Sequence, residues 1–219
     1  MTKERMDWTS TSIPFARNKP LKFMIFIFIL FFGLMAISPT ERSQWLADSL
    51  PLILVILILI FTYKWFRFSN LSYLQMLVFF CLHTYAAHYT YEGTPFDHWL
   101  KTLFHTRRSY YDRVVHFFFG LFFAFPFYEI LKSKVKLHGI WSIALPVAVV
   151  LSFSALFEIL EMSAALVAGS GGEAKFVGMQ GDIFDTQKDM ALGLLGGVVS
   201  MGILVWIIWK GDNAASVSD

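Results

Sequence analysis

Long apolar runs separated by short polar segments make up most of the chain. Six runs come close to the roughly 20 apolar residues that a helix needs to cross a bilayer. The second run is short for a straight span, and the fifth is long enough to tilt or to extend beyond the bilayer. We predict a membrane-spanning helix over each of the six, at Leu21–Ile37, Leu50–Trp65, Leu71–Tyr89, Tyr111–Leu131, Gly139–Ala168 and Asp189–Trp209.

Two of the intervening polar segments are long enough to hold structure of their own. Segment 90–110 reads TYEGTPFDHWLKTLFHTRRSY, and we expect a short helix at the membrane surface around Phe96 to Phe104. Segment 169–188 starts with GSGGE and ends with GDIFDTQK. Residues 1–20 and 210–219 are predicted to be polar tails.

The composition favours one all-α membrane domain, a bundle of about six transmembrane helices spanning residues 1–219. Hydrophobic residues make up 56% of the chain and charged residues 16%, whereas soluble domains are about 25% charged. The net charge is +2 and no basic tract is interleaved with aromatic residues, so nucleic acid is excluded as a partner. The expected partners are the lipid bilayer and a second copy of the chain, since GLLGG in the last run lets backbones approach closely.

Lysine and arginine predict the orientation of the bundle. They are more frequent in the amino-terminal tail and in segments 63–70 and 131–139 than in the other connections. Cytoplasmic segments carry this excess in membrane proteins. Both termini are therefore expected in the cytoplasm, with segments 90–110 and 169–188 on the outer side.

Ionisable residues from four of the runs fall at one depth, in the outer half of this bundle. A charged residue at the centre of a span costs about 2.5–3.5 kcal/mol, so the group must face the bundle interior, which favours a functional site. His83 and His88 are five residues apart and diverge by about 140° on an ideal helix, which leaves open which of them faces the site. The group comprises His83, His88, Asp112, His116, Glu158, Glu161, Asp185 and Asp189.

Structural roles would explain some of these residues equally well. Asp182 has the position of a helix N-cap, with Asp185 in the first turn where the helix dipole favours a carboxylate. His116 could be a core histidine that is hydrogen-bonded to Asp112, four residues earlier on one helix face. The whole group could also be a structural polar network.

Four sequence blocks resemble those of the YjdF-like family of bacterial inner-membrane proteins. The blocks are HTYAAHYTY, YYDRVVHFFFG, FEILEM and VGMQGDIFDTQKDMALGLLGG, and the resemblance runs from about Leu71 to the last span. It implies a multi-pass protein of the bacterial inner membrane, in a family of unknown function.

A looser likeness connects the chain to VanZ-like membrane proteins, which are associated with the cell envelope and glycopeptide resistance. It consists of an Asp-x-x-x-His helix start at Asp112, an acidic residue late in the next helix and an Asp-rich entry to a glycine-bearing last helix. The likeness implies shared architecture and no reaction.

The first functional hypothesis is a metal-dependent enzyme acting on a lipid or envelope substrate. Histidine nitrogen and carboxylate oxygen form mixed sites for zinc, manganese or iron. The expected ligands are His83 or His88, with His116, Glu158 and Asp185 or Asp189. Glu161 would be the general base and Asp112 the group that orients His116. Substrate binding is assigned to Arg107, Arg108, Arg113, Tyr111 and Gln180, with the arginines holding a phosphate headgroup.

The alternative is a small transporter or an envelope-binding protein that uses the same carboxylate and histidine residues for proton or ligand binding. Such residues in spans also mark proton and ion pathways. Few polar residues lead from the group toward the inner side beyond Glu129. The predicted site is therefore open from the outside only, which disfavours a through-channel.

Overall fold

The computed structural model describes residues 8–106, 108–169 and 182–216, and in these ranges the chain is helical without any strand. The all-α prediction is thereby confirmed. A 3-10 turn, Phe15–Arg17, precedes the first helix, and a π-helical turn, Leu131–Val135, continues the fifth. The seven α-helices of the described residues are α1 (Lys19–Met35), α2 (Arg42–Thr62), α3 (Asn70–His88), α4 (Pro95–Leu103), α5 (Tyr111–Ile130), α6 (Trp141–Ala168) and α7 (Asp185–Ser216).

Each of the six predicted spans coincides with a helix, and α4 is the predicted short helix of segment 90–110. Four helices of the described residues are long and apolar enough to cross a membrane: α2, α5 with its π-helical turn, α6 and α7. Large apolar side chains such as Phe26, Leu54 and Trp206 are exposed on these helices and on α1. Such a surface suits contact with lipid and confirms a multi-pass membrane protein.

The bounds of two helices, α2 and α7, differ from the prediction. The expectation of a short second span was wrong, because α2 begins at Arg42 and has 21 residues. Its first two turns carry polar residues, including Gln44 and Ser49, which are buried in the fold and which hydropathy excludes from a span. The last helix begins at Asp185, earlier than predicted, and continues to Ser216 through most of the predicted tail.

The chain divides into two compact units, Met1–Asp112 and Arg113–Asp219. In the first unit, α3 packs against α1 and α2. Asn18 caps α1 by accepting a hydrogen bond from the Leu21 amide at 3.1 Å, and its side-chain amide donates to Asn70 Oδ1 at 2.8 Å. These bonds join the start of α1 to the start of α3.

Asp97 organises the 90–110 segment of the first unit. Thr94 Oγ1 caps α4 by accepting a hydrogen bond from the Asp97 amide at 3.0 Å. The Asp97 carboxylate is fully buried, accepts a hydrogen bond from the Tyr110 amide at 2.8 Å and pairs with Lys101 at 2.7 Å. The sequence TPFD carries the signal for this role, since a threonine cap followed by proline and an acidic residue starts a helix.

The second unit contains α5 from Arg113 onward, α6 and α7. Glycines bring the backbones of α5 and α7 into contact. A Cβ atom on Gly120 would overlap the Gly193 carbonyl oxygen and lie 2.7 Å from the Gly197 amide nitrogen. A Cβ atom on Gly196 would overlap the Phe117 carbonyl oxygen. GLLGG therefore packs against a helix of its own chain, as small residues do in membranes, and the homodimer stays a prediction.

Candidate functional site

Arg113, in the first turn of α5, collects the aspartates at the start of α7. Its guanidinium donates to Asp182 Oδ2 at 2.8 Å and to Asp185 Oδ1 at 3.0 Å, and its Nε lies 3.9 Å from Asp189 Oδ1. Asp185 and Asp189 are buried, with 6% and 2% of their surface exposed. We predicted that Arg113 binds a substrate headgroup. In the structure its guanidinium donates hydrogen bonds to carboxylates of the same unit.

Asp182 lies in the turn before α7, and its carboxylate accepts hydrogen bonds from three groups. Its Oδ1 accepts a hydrogen bond from the Phe184 amide at 3.1 Å, in a turn that precedes α7. Its Oδ2 accepts hydrogen bonds from Lys188 at 2.6 Å and from Arg113. The hydrogen bond from Lys188, with those from the Phe184 amide and Arg113, holds the pKa of Asp182 well below its usual range. Asp182 is consequently ionised at neutral pH and anchors this end of α7 to α5.

A histidine–carboxylate pair lies one turn further into the second unit. His116 Nε2 is 3.2 Å from Glu158 Oε1, and the two side chains are 4% and 7% exposed. The His116 ring also meets the Phe157 ring edge-on, with 5.7 Å between centroids. A neutral imidazole has one donor and one acceptor nitrogen, whereas a carboxylate only accepts. Gain or loss of a single proton therefore changes the charge and the hydrogen bonding of the pair.

An apolar cluster closes the second unit on the far side of this pair. It consists of Ala124 and Tyr128 on α5, Val150 on α6 and Met201 on α7. Ala124 follows His116 by eight residues and Val150 precedes Glu158 by eight. At 1.5 Å per residue, the cluster lies about 12 Å along the helices from the His116–Glu158 pair.

The two candidate histidines of α3 are bonded within the first unit. His83 is buried, with Nε2 at 2.8 Å from the Asp48 carbonyl oxygen and Nδ1 at 2.6 Å from the Tyr91 hydroxyl. Nδ1 of His88 lies 2.8 Å from the Met35 carbonyl oxygen. Both ring nitrogen atoms of His83 are thus bonded to groups of the first unit. The ligand roles of His83 and His88 stay predictions.

The remaining candidates occupy varied positions. Tyr111 is 2% exposed and donates its hydroxyl to the Leu82 carbonyl oxygen at 3.2 Å. Asp112 and Arg108 are half-buried near the start of α5, and Glu161 is half-buried on α6, one turn beyond Glu158. Their predicted roles, and the contact of Asp112 with His116, stay predictions. Arg107 and Gln180 lie outside the described residues.

Metal binding has no complete ligand set in the part of the chain that the structure describes. No group of three or more His, Cys, Asp or Glu residues there is arranged to hold a metal ion. Of the predicted ligands, His116 and Glu158 come together, while Asp185 and Asp189 gather around Arg113. The zinc hypothesis therefore stays a prediction.

Two comparisons place the chain among known proteins. The family model described as "Predicted membrane protein (DUF2238)" matches residues 20–210. The inner membrane protein YjdF of Escherichia coli K12 is 32% identical over 166 residues, which cover 75% of this chain and 79% of that protein. These findings confirm the predicted resemblance to the YjdF-like family, whereas the VanZ likeness stays a prediction. No solved structure matches.

Proposed function

We propose a proton-linked binding function for this chain, which belongs to the DUF2238 family of predicted membrane proteins and is itself a multi-pass membrane protein. In this proposal it resides in the bacterial inner membrane, as its E. coli relative does by name. The His116–Glu158 pair of the second unit takes up or releases a proton when a small ligand binds from the outer side.

The proposed topology has six spans, α1, α2, α3, α5, α6 and α7, with both ends of the chain in the cytoplasm. The distribution of lysine and arginine supports it. Reporter fusions test it: a fusion after Ala174, outside the described residues, should be periplasmic, and one after Lys136 should be cytoplasmic. The opposite pair of locations would invert the orientation and refute the outer-side site.

The observation that carries the proposal is the burial of the His116–Glu158 pair. The two ionisable side chains face each other at 3.2 Å in an apolar helix bundle. Gain or loss of a proton there changes the free energy of the site strongly, because charges are costly where water is excluded. Ionisable residues in spans mark proton relays and ligand pathways by default. The pair is therefore the best-supported site of proton uptake in the second unit.

The surroundings support binding from one side rather than passage across the membrane. The ion-paired aspartates and Arg113 occupy the helix ends next to the pair, whereas Ala124, Tyr128, Val150 and Met201 form the apolar cluster on its other side. A proton or small polar ligand that approaches the pair from the ion-paired helix ends meets hydrogen-bonding groups. One that approaches through the apolar cluster meets mainly hydrocarbon. We therefore favour an envelope-facing binding protein over a channel.

Infrared difference spectroscopy during acidification tests the proposal directly. As the pH falls, the purified protein should show the carbonyl stretches of its protonated carboxyl groups, and Glu158→Gln should remove one component of this band. Glu161→Gln, which changes a carboxyl group three residues further along α6, should retain it. A spectrum that is unchanged in Glu158→Gln would place the titrating group elsewhere and would refute the proposal.

The metal-dependent enzyme acting on a lipid or envelope substrate is the second candidate. It is favoured by the nitrogen and oxygen donors of His116 and Glu158, which lie within reach of one ion and are typical zinc ligands. Metal analysis of wild-type protein and of His116→Ala separates the candidates. Proton-linked binding predicts the same metal content in both proteins, whereas stoichiometric metal that is lost in His116→Ala would favour the enzyme.

A further inference from the structure

Ser154 is buried, unlike Ser152 and Ser163, which lie on exposed faces of α6. The hydroxyls of Ser152 and Ser163 donate to carbonyl oxygens of their own helix, at 2.9 Å to Ala148 and 2.7 Å to Ile159. Ser154 is 1% exposed, and its Oγ atom has no hydrogen-bond partner among the residues that the structure describes. A buried hydroxyl without a partner costs free energy, so this position calls for a polar ligand.

The Ser154 hydroxyl points toward Gly193 of α7, one helical turn along α6 from Glu158. Ser154 precedes Glu158 by four residues, which places the two side chains on one face of α6. A Cβ atom on Gly193 of α7 would collide with Ser154 Oγ and lie 3.6 Å from the His116 carbonyl oxygen. The hydroxyl is therefore aimed at the place where α6 faces the glycine of α7, at the level of His116 on α5.

We propose that Ser154 binds a water molecule that bridges its hydroxyl to the His116–Glu158 pair. Buried waters typically make about three hydrogen bonds to polar groups that lack other partners, and Ser154 offers both a donor and an acceptor. Ser154 is a positioning residue in this inference, which rests on the proposed proton-binding function. The water gives one proton to the Glu158 carboxylate and accepts one from the outer side, and so remains water.

The pH titration of the Glu158 carboxyl band tests Ser154 with a readout that a structural role would not move. Ser154→Ala should shift the midpoint of the titration by about one pH unit, which is a tenfold change in proton affinity. Ser152→Ala, which removes a hydroxyl that is bonded within α6, should titrate as the wild type does. Unfolding of the same proteins in detergent provides the second measurement, and Ser154→Ala should not be more stable than the wild type.

Two results would overturn the inference. One is an unchanged midpoint in Ser154→Ala. The other is a gain in unfolding temperature, as expected when a hydroxyl without any partner is removed. Either result leaves the proton-binding function intact, provided that the wild type shows the band component and Glu158→Gln removes it. The proposed proton-binding function itself fails only if the wild-type spectrum contains no component that depends on Glu158.

Discussion

Gly120→Ala is the substitution that most directly probes the packing of the second unit. The added Cβ atom would overlap the Gly193 carbonyl oxygen and lie 2.7 Å from the Gly197 amide nitrogen. Ordinary contact requires about 3.5 Å, so α5 and α7 would have to separate by roughly 1.5 Å to clear the Gly193 carbonyl oxygen. Both obstacles are backbone atoms and cannot rotate away. Overpacking costs typically about 1–3 kcal/mol, and we expect the upper end of that range.

The gain in helix propensity reduces this loss, because alanine is favoured over glycine in a helix by about 1 kcal/mol. The net loss in unfolding free energy is therefore about 2 kcal/mol. Unfolding in mixed detergent–SDS micelles, followed by tryptophan fluorescence, measures it. Gly202→Ala is the matched control, because a Cβ atom there meets nothing within 4 Å and should not destabilise. Equal stability of Gly120→Ala and Gly202→Ala would refute the close approach of α5 and α7.

Two further substitutions test the apolar cluster and the ion pairs of the second unit. Met201→Ala, at a side chain that is 1% exposed, should lower the unfolding free energy by about 2 kcal/mol or more, as truncation of buried side chains does. An unchanged unfolding midpoint in the same micelle assay would contradict the packing of Met201 in the apolar cluster. Arg113→Ala should lower the unfolding free energy by about 3–5 kcal/mol, because it leaves Asp185 and Asp189 buried without their arginine. Lys188→Ala, at a half-exposed side chain, should have little effect. Equal effects of the two substitutions would contradict the central place of Arg113.

The helices could be predicted because hydropathy reports directly on contact with lipid. All six apolar runs and the short helix of segment 90–110 form helices in the structure. The start of α2 could not be predicted in this way, since Gln44 and Ser49 are polar yet buried. Their burial depends on the helices packed around them, which the local pattern does not contain.

The site was predicted only in part, for a similar reason. The shared depth of His116 and Glu158 was visible in the sequence, and the structure pairs them. The ion pair of Arg113 with Asp182 joins residues 69 positions apart, and local spacing carries no information on such a contact. Ser152 and Ser154 look equivalent in the sequence, and only packing distinguishes the hydroxyl bonded within α6 from the one aimed at α7.

The central claim is that Glu158, paired with His116, takes up a proton inside the second unit. The infrared spectrum of the protein on acidification tests it most directly, with Glu158→Gln as the diagnostic variant and Glu161→Gln as its neighbour. We predict a component of the carboxylic acid band in the wild type and in Glu161→Gln that is missing in Glu158→Gln. An identical band in all three proteins would contradict the claim.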